Sequence, residues 1–329
     1  MKIFKMSQKK GYLRARVDSY DDLVVLSYVI ESGDKLVSYS RRKIKVDDSY
    51  DIRLIKVGIT VEELKLTDDA LSVGGKIYLS SDEQVPLHKY HSIDLAPKRS
   101  FVLLKTKMLN FQASSLNRLR HKSPRILICT YEDGYAIFYK ITNYSLQKMY
   151  ELKENVSGKR FRNDSRDRFF RKLTIDITNE YKKEDWDLFI VAGNALGNQA
   201  LGAQFKGLKI IFDTVSYADT GLKELIRKDT INKLLKGTKI AAQKALMEEY
   251  VNGISEANNS YVYGKNEIRE ALSKGTPEQA LVSRDFVMKN KDIIEKLDAD
   301  MTDIKIFYDK DESLDTLENF GGVLLKVRK

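Results

Sequence analysis

The sequence predicts a multi-domain protein of mixed α+β and α/β class: a β-rich first segment of small-barrel type, then two α/β segments. Three observations predict it. Over residues 1–123, runs of β-branched and aromatic residues dominate, several of them alternating with polar ones, and one helix interrupts them. Over residues 124–257, a hairpin signal gives way to strands alternating with helices, and over residues 258–329 short helices and strands alternate again. Charge changes along the chain as well, from net +8 over 1–123 and +5 over 124–255 to −3 over 256–329.

In the first segment, Lys35–Val46, Ile52–Leu66, Leu71–Leu79 and Phe101–Lys105 read as strands, punctuated by Gly74-Gly75 and Asp82-Glu83. A helix is expected from about Tyr20 to Ser32, capped by Ser19, supported by Asp22 and ended by Gly33. The second segment opens with Ile126–Tyr131 and Tyr135–Ile141 around Asp133-Gly134, a hairpin signal. A polar, basic stretch follows at Lys153–Ser165. Phe169, Phe170, Leu173, Ile177 and Tyr181 then recur at helical spacing. Leu188–Val191 and Lys209–Phe212 read as strands, Gly221–Leu235 and Thr238–Val251 as helices. In the third segment the expected order is helix Asn266–Ser273, strand Ala280–Ser283, a mainly helical Arg284–Leu297, strand Ile304–Tyr308, helix Leu314–Asn319 and strand Val323–Val327.

Composition narrows the function. The chain has 329 residues, 42% hydrophobic and 32% charged, so it can build cores and is no disordered tail. Its net charge of +10 favours an acidic partner, nucleic acid before membrane. The single cysteine, Cys129, excludes an intrachain disulfide and a multi-cysteine zinc site and fits a reducing cytosol. Met1–Lys10 has no apolar core of signal-peptide type, and no apolar run approaches the ~18 residues of a membrane span.

Catalytic groups are sparse. The Gly-Lys pairs at 75–76, 158–159 and 264–265 are followed by Ile77, Arg160 and Asn266, so there is no Walker loop. His88 and His91 have metal-like spacing but no third ligand nearby; a loop or strand edge accounts for them. Asp18, Asp21 and Asp22 could hold a divalent cation for phosphodiester hydrolysis. Carboxylates in a helix's first turn are favoured by capping and the helix dipole, and that simpler account is preferred. Two basic clusters remain. Arg41, Arg42, Lys43 and Lys45 end a predicted strand, where consecutive residues face opposite sides, so at least part of the cluster is surface charge suited to phosphates. Lys159, Arg160, Arg162, Arg166 and Arg168 interleave with Phe161, Phe169 and Phe170 in a pattern suited to phosphate contact and base stacking. The same pattern is also met by phenylalanines packing a core beneath a solvated cationic face.

Several phrases resemble the Pelota family, the archaeal and eukaryotic paralogues of class-1 release factors. Ser19–Leu23 (SYDDL), Ser40–Ile44 (SRRKI), Lys89–Ile93 (KYHSI), Val215–Leu225 (VSYADTGLKEL), Val262–Phe286 and Gly321–Arg328 (GGVLLKVR) match family phrases in order. The chain departs from the family at Gly193-Asn194-Ala195-Leu196, where Gly-Pro-Gly-Phe is usual, and at Thr276-Pro277. The resemblance implies an Sm-like β-barrel over 1–123, a ribonuclease-H-like α/β domain over 124–257 and a ribosomal-protein-like α/β/α sandwich over 258–329. It implies a cytoplasmic, monomeric factor in mRNA surveillance and ribosome rescue, bound at the empty A site of a stalled ribosome against rRNA and mRNA. Such a factor is delivered by an elongation factor 1 alpha-type GTPase and splits the subunits with an ABC-type ATPase. The Gly-Gly-Gln loop needed for peptide release is missing: Lys76 follows Gly74-Gly75 and Val323 follows Gly321-Gly322. No cofactor is required in this reading. The alternative is an endoribonuclease with Asp21 and Asp22 catalytic and a divalent cation held with Asp18.

Overall fold

The computed structural model describes residues 1–46, 49–67, 69–120, 124–142, 146–154, 162–228, 239–256, 258–275, 277–308 and 312–328. The chain forms two compact units: one joins 1–122 with 246–329, and the other is 123–245.

The first unit holds two sheets. The larger has seven antiparallel strands, β1 (Lys2–Ser7), β2 (Tyr12–Arg16), β3 (Lys35–Val46), β4 (Ser49–Leu66), β5 (Leu71–Ser80), β6 (Tyr90–Leu95) and β7 (Ser100–Leu104), in the order β1-β2-β7-β3-β4-β5-β6. The sequence reading expected a small barrel. The strands curl in that sense, since His91 on β6 reaches Ser40 on β3 at 3.0 Å. Among the described residues, however, no ladder joins β1 to β6, so both remain edges. Helix α1 (Tyr20–Val29) is buried along nearly its whole length, from Asp21 to Val29. That explains its near-continuous apolar sequence, which shows no helical stripe. It stops at Val29, before the expected Ser32, because the backbone turns extended at Ile30 and left-handed at Gly33 (φ +93°). A second short helix, α2 (Asn110–Arg118), follows β7.

The second unit carries a five-stranded sheet of β8 (Ile126–Glu132), β9 (Tyr135–Ile141), β10 (Leu146–Lys153), β11 (Leu188–Gly193) and β12 (Ile210–Thr214), ordered β10-β9-β8-β11-β12. The β8–β9–β10 meander is antiparallel, while β8, β11 and β12 are parallel. Alternate residues of β8 feed opposite faces. Ile126 and Ile128 pack toward α5 (Ala218–Arg227), while Leu127, Cys129 and Tyr131 pack toward α3 (Arg162–Lys183) and α4 (Ala195–Gln204). Helices therefore cover both faces, as the parallel strands require. Cys129 is fully buried, which pushes its thiol up in pKa and suits packing rather than nucleophilic chemistry.

Helix α6 (Lys239–Ser255) runs on into the first unit. There a four-stranded sheet of β13 (Tyr261–Tyr263), β14 (Pro277–Ser283), β15 (Asp303–Phe307) and β16 (Val323–Val327) is ordered β13-β16-β14-β15. Its helices are α7 (Lys265–Ser273), α8 (Arg284–Lys289), α9 (Lys291–Ala299) and α10 (Glu312–Asn319). Met247 and Tyr250 of α6 and Leu317 of α10 pack with Leu281, Phe307 and Leu324 on one sheet face. The expected single helix over Arg284–Leu297 is two, because Asn290 (φ −128°, ψ 58°) leaves helical geometry. Among the described residues no helix is long and apolar enough to cross a membrane.

Candidate nucleic-acid interface

Strand β3 pairs along its whole length with Ser49–Thr60 of β4, from Lys35↔Thr60 to Val46↔Ser49. Their other neighbours are shorter. Strand β7 pairs only with Lys35–Ser38 of β3, and β5 only with Val57–Leu66 of β4. Beyond Ser40 and Ile55 the two strands thus form a two-stranded arm projecting from the sheet. The sequence-predicted cations Arg41, Arg42, Lys43 and Lys45 all lie on this arm, paired in register with Leu54, Arg53, Ile52 and Tyr50. Arg41 is exposed and so is Leu54 opposite it.

The second cluster divides. Lys159 and Arg160 lie outside the described residues, and Arg162 starts α3. Arg166 is engaged: its guanidinium pairs with Asp133 at 3.2 Å and lies 5.7 Å from the Phe170 ring centre. Lys172 pairs with Glu154. Arg168 and Arg171 are exposed. Phe169 is fully buried and Phe170 packs edge-on against Tyr131 with centroids 5.9 Å apart. The α3 phenylalanines are therefore core, and Phe169 presents no ring for base stacking. The solvent face of α3 carries Arg168, Arg171, Lys172, Lys182 and Lys183 together with Asp167, Ile175 and Asn179.

The aspartates have defined structural employment. Asp22 Oδ2 accepts from the backbone N–H groups of Asp18 (2.7 Å) and Ser19 (3.1 Å), completing the capping box foreseen from the sequence. Asp22 Oδ1 pairs with the Met1 ammonium at 2.9 Å, and that ammonium also donates to the Leu119 carbonyl. Asp18 accepts from Arg16 Nε at 2.7 Å, and Asp21 is fully buried. Cap, ammonium and guanidinium thus occupy Asp22 and Asp18. His88 sits in a loop with φ +64° and His91 on β6. Among the described residues no group of three or more potential ligands is placed to hold a metal ion.

Sequence reasoning missed the buried ion group at Lys105. Its ammonium donates to the Val29 carbonyl, Glu31 Oε2 and Asp34 Oδ2, each at 2.7 Å. Burial raises the Asp34 carboxyl, an effect that the adjacent Lys105 opposes. The three residues tie the end of α1 to the end of β7. No local pattern signals this, because Lys105 follows an ordinary strand.

Residues 1–123 match the Pelota N-terminal domain family. Over the whole chain, the sequence is 27% identical to the pelota homologue of Pyrococcus furiosus, covering 100% of this chain and 99% of that one. It is 25% identical to the pelota homologue of Methanocaldococcus jannaschii, covering 99% and 93%. In fold it is similar to the Pelota protein of Thermoplasma acidophilum, with a TM-score of 0.73, 17% identity and coverage of 100% and 99%. It is also similar to Dom34 of S. cerevisiae, a translation termination-like factor involved in RNA quality control pathways and interacting with Hbs1, with a TM-score of 0.55, 14% identity and coverage of 100% and 98%.

Proposed function

The chain belongs to the Pelota family, and from that premise we propose that it is a non-catalytic ribosome-rescue factor. It recognises stalled ribosomes at the empty A site and promotes subunit dissociation together with a translational GTPase and an ABC-type ATPase. The observation that carries the reading is the β3–β4 arm, along which Arg41, Arg42, Lys43 and Lys45 occupy positions beyond the reach of the neighbouring strands. An arm of this kind reaches into an rRNA-lined cavity that a flat surface cannot enter. Arginine and lysine there would contact phosphates, which position a protein on RNA. The three sequence segments act as three domains in this proposal. The first faces the decoding site, the basic second follows the RNA, and the third, in a region of net charge −3 over 256–329, suits protein partners. The likeness to a factor that interacts with Hbs1 supports a partner GTPase supplied in trans, as does the missing Walker loop. The protein works as a cytoplasmic monomer without a cofactor. Peptidyl-tRNA is left intact, because no Gly-Gly-Gln sequence exists. The endoribonuclease alternative is not favoured, since Asp22 and Asp18 are engaged in the α1 cap and in ion pairs.

Cosedimentation with empty-A-site ribosomes across a salt series tests the arm. Binding falls with a log–log slope of about −0.7 to −0.9 per phosphate neutralised. Replacing Arg41, Arg42 and Lys43 together by Ala lowers that slope by about one for each phosphate no longer reached. The melting temperature stays close to wild type, because surface substitutions move stability by about ±0.5 kcal/mol. Unchanged binding, or early melting of the variant, refutes the assignment.

A further inference from the structure

The outer face of the seven-stranded sheet carries a second set of cations, interleaved with aromatic rings. On β1, a bulge between Ile3 and Lys5 turns both Phe4 and Lys5 outward, next to Arg14 on β2. Phe4 is 49% exposed, with Lys2 Nζ 5.7 Å and the Arg14 guanidinium 5.8 Å from its ring centre. Lys5 stands 5.9 Å from the Tyr12 ring. Strand β7 continues the face with Ser100, Val102 and Leu104, a low floor. Strand β3 then raises Lys35, 5.0 Å from the Tyr78 ring on β5, and Tyr39, which is 53% exposed and paired in register with Lys56. Among the described residues none of Lys2, Lys5, Arg14 and Lys35 is ion-paired with a carboxylate.

Lysines on an edge strand discourage pairing with another chain, which accounts for Lys2 and Lys5. It does not account for Arg14 and Lys35, which stand on inner strands, or for two large rings left half exposed. A polypeptide partner would need carboxylates to answer this charge and would waste the flat ring faces. Single-stranded RNA answers both, with phosphates for the cations and bases for the rings. We propose that this outer face is a stacking platform for single-stranded RNA. Bases stack on Phe4 and Tyr39, and the phosphate backbone crosses the β7 floor between Arg14 and Lys35. At about 4.8 Å per strand, the three spacings from β1 to β3 separate the two rings laterally by roughly 14 Å. The two stacked bases are therefore not neighbours in the RNA. The platform deepens the rescue reading by naming single-stranded RNA as a ligand of the first segment, and it rests on that reading only for which RNA is met in the cell.

Fluorescence anisotropy of a labelled oligouridylate titrated with the full chain tests the platform. Wild type binds, with affinity falling as salt rises. Phe4→Ala combined with Tyr39→Ala weakens binding at least about tenfold. Phe4→Trp with Tyr39→Phe keeps it, and Lys2→Ala with Arg14→Ala flattens the salt dependence. The rings are half exposed, so all variants keep the wild-type melting temperature. No binding at low salt overturns the proposal, as does wild-type affinity in the double alanine variant. Inorganic polyphosphate binding as tightly as the oligonucleotide overturns it too, since the face would then be charge without stacking. Ribosome cosedimentation judges the rescue reading separately. Oligonucleotide binding that needs Phe4 and Tyr39 supports the platform even where ribosomes are not bound, and binding that ignores them overturns it even where they are.

Discussion

Replacing Asp298 by Ala removes the acceptor that caps α2 from a distant part of the chain. Leu109, the residue before α2, has no side-chain acceptor to offer. Asp298, on α9, takes that part: its Oδ1 accepts from Phe111 N at 2.8 Å, and its Oδ2 accepts from Asn110 N at 2.9 Å and Asn110 Nδ2 at 3.1 Å. The carboxylate is buried, and both N–H groups belong to a helix N-terminus that has no partner of its own. Loss of an N-cap costs about 0.5–2 kcal/mol. A buried donor left without an acceptor costs about 1–3 kcal/mol. Water reaches part of the space vacated around Asn110, so the sum for Asp298→Ala is about 2–4 kcal/mol. For a unit of this size that lowers its melting transition by roughly 5–15 °C. Asp298→Asn falls between, because its amide offers one acceptor but turns an N–H₂ toward a donor. Asp300→Ala, exposed and one residue past α9, changes stability by no more than about 0.5 kcal/mol. Calorimetry gives the transitions, and amide hydrogen exchange at Asn110 and Phe111 reports the cap directly. An Asp298→Ala protein that melts with wild type and keeps those two amides protected refutes the reasoning.

Other outcomes follow from the same structure. Lys105→Met leaves Glu31 and Asp34 without their buried cation and costs about 3–5 kcal/mol at neutral pH. Burial raises the Asp34 carboxyl, and a group raised in the folded state favours folding below its unfolded value. The deficit of Lys105→Met therefore shrinks as pH falls through the raised Asp34 value and is smallest below the unfolded value of about 4, and denaturation series at two pH values measure this; a deficit independent of pH contradicts it. Glu151 is lowered to about 2 by hydrogen bonds from Lys148 first, then Lys153 and Tyr135. Its contribution is present above the unfolded value of about 4.3 and is lost as pH falls through about 2. An NMR titration of its carboxyl carbon with a midpoint near the unfolded value contradicts the assignment. Asp22→Ala loses the α1 cap and destabilises by about 1–2 kcal/mol, while incubation with single-stranded RNA and Mg²⁺ or Mn²⁺ yields no cleavage that depends on Asp22; robust cutting lost in Asp22→Asn with its fold intact revives the nuclease.

Local chemistry made much of the fold legible. The Ser19–Asp22 box, the Asp133-Gly134 turn with Gly134 at φ +85°, and the strand over Lys35–Val46 each depend on neighbouring residues, and all three appear where the sequence places them. Strands β1, β2 and β6 passed unnoticed. No residue of the edge strand Lys2–Ser7 is buried, so it carries no buried alternation, while Tyr12–Arg16 and Tyr90–Leu95 do alternate, burying Leu13 and Ala15 and then Ile93 and Leu95, but over runs too short to stand out. Helix α4 was hidden by the glycine and asparagine content of its first turn, although Asn194 accepts from Gly197 N at 2.7 Å in an ordinary cap. The basic arm was visible as a run of cations, but its projection from the sheet depends on where β7 and β5 stop pairing. The Lys105 group, the Asp298 cap and the outer-face rings are set by residues far apart in the chain, which no window of neighbouring positions contains.

The central claim is tested most directly by subunit splitting on purified ribosomes stalled with an empty A site, in the presence of the elongation factor 1 alpha-type GTPase and the ABC-type ATPase. Splitting is expected to require this chain, to fall when Arg41, Arg42 and Lys43 are replaced by alanine, and to leave peptidyl-tRNA unhydrolysed. A chain that neither binds the empty A site nor changes the rate of splitting contradicts the claim.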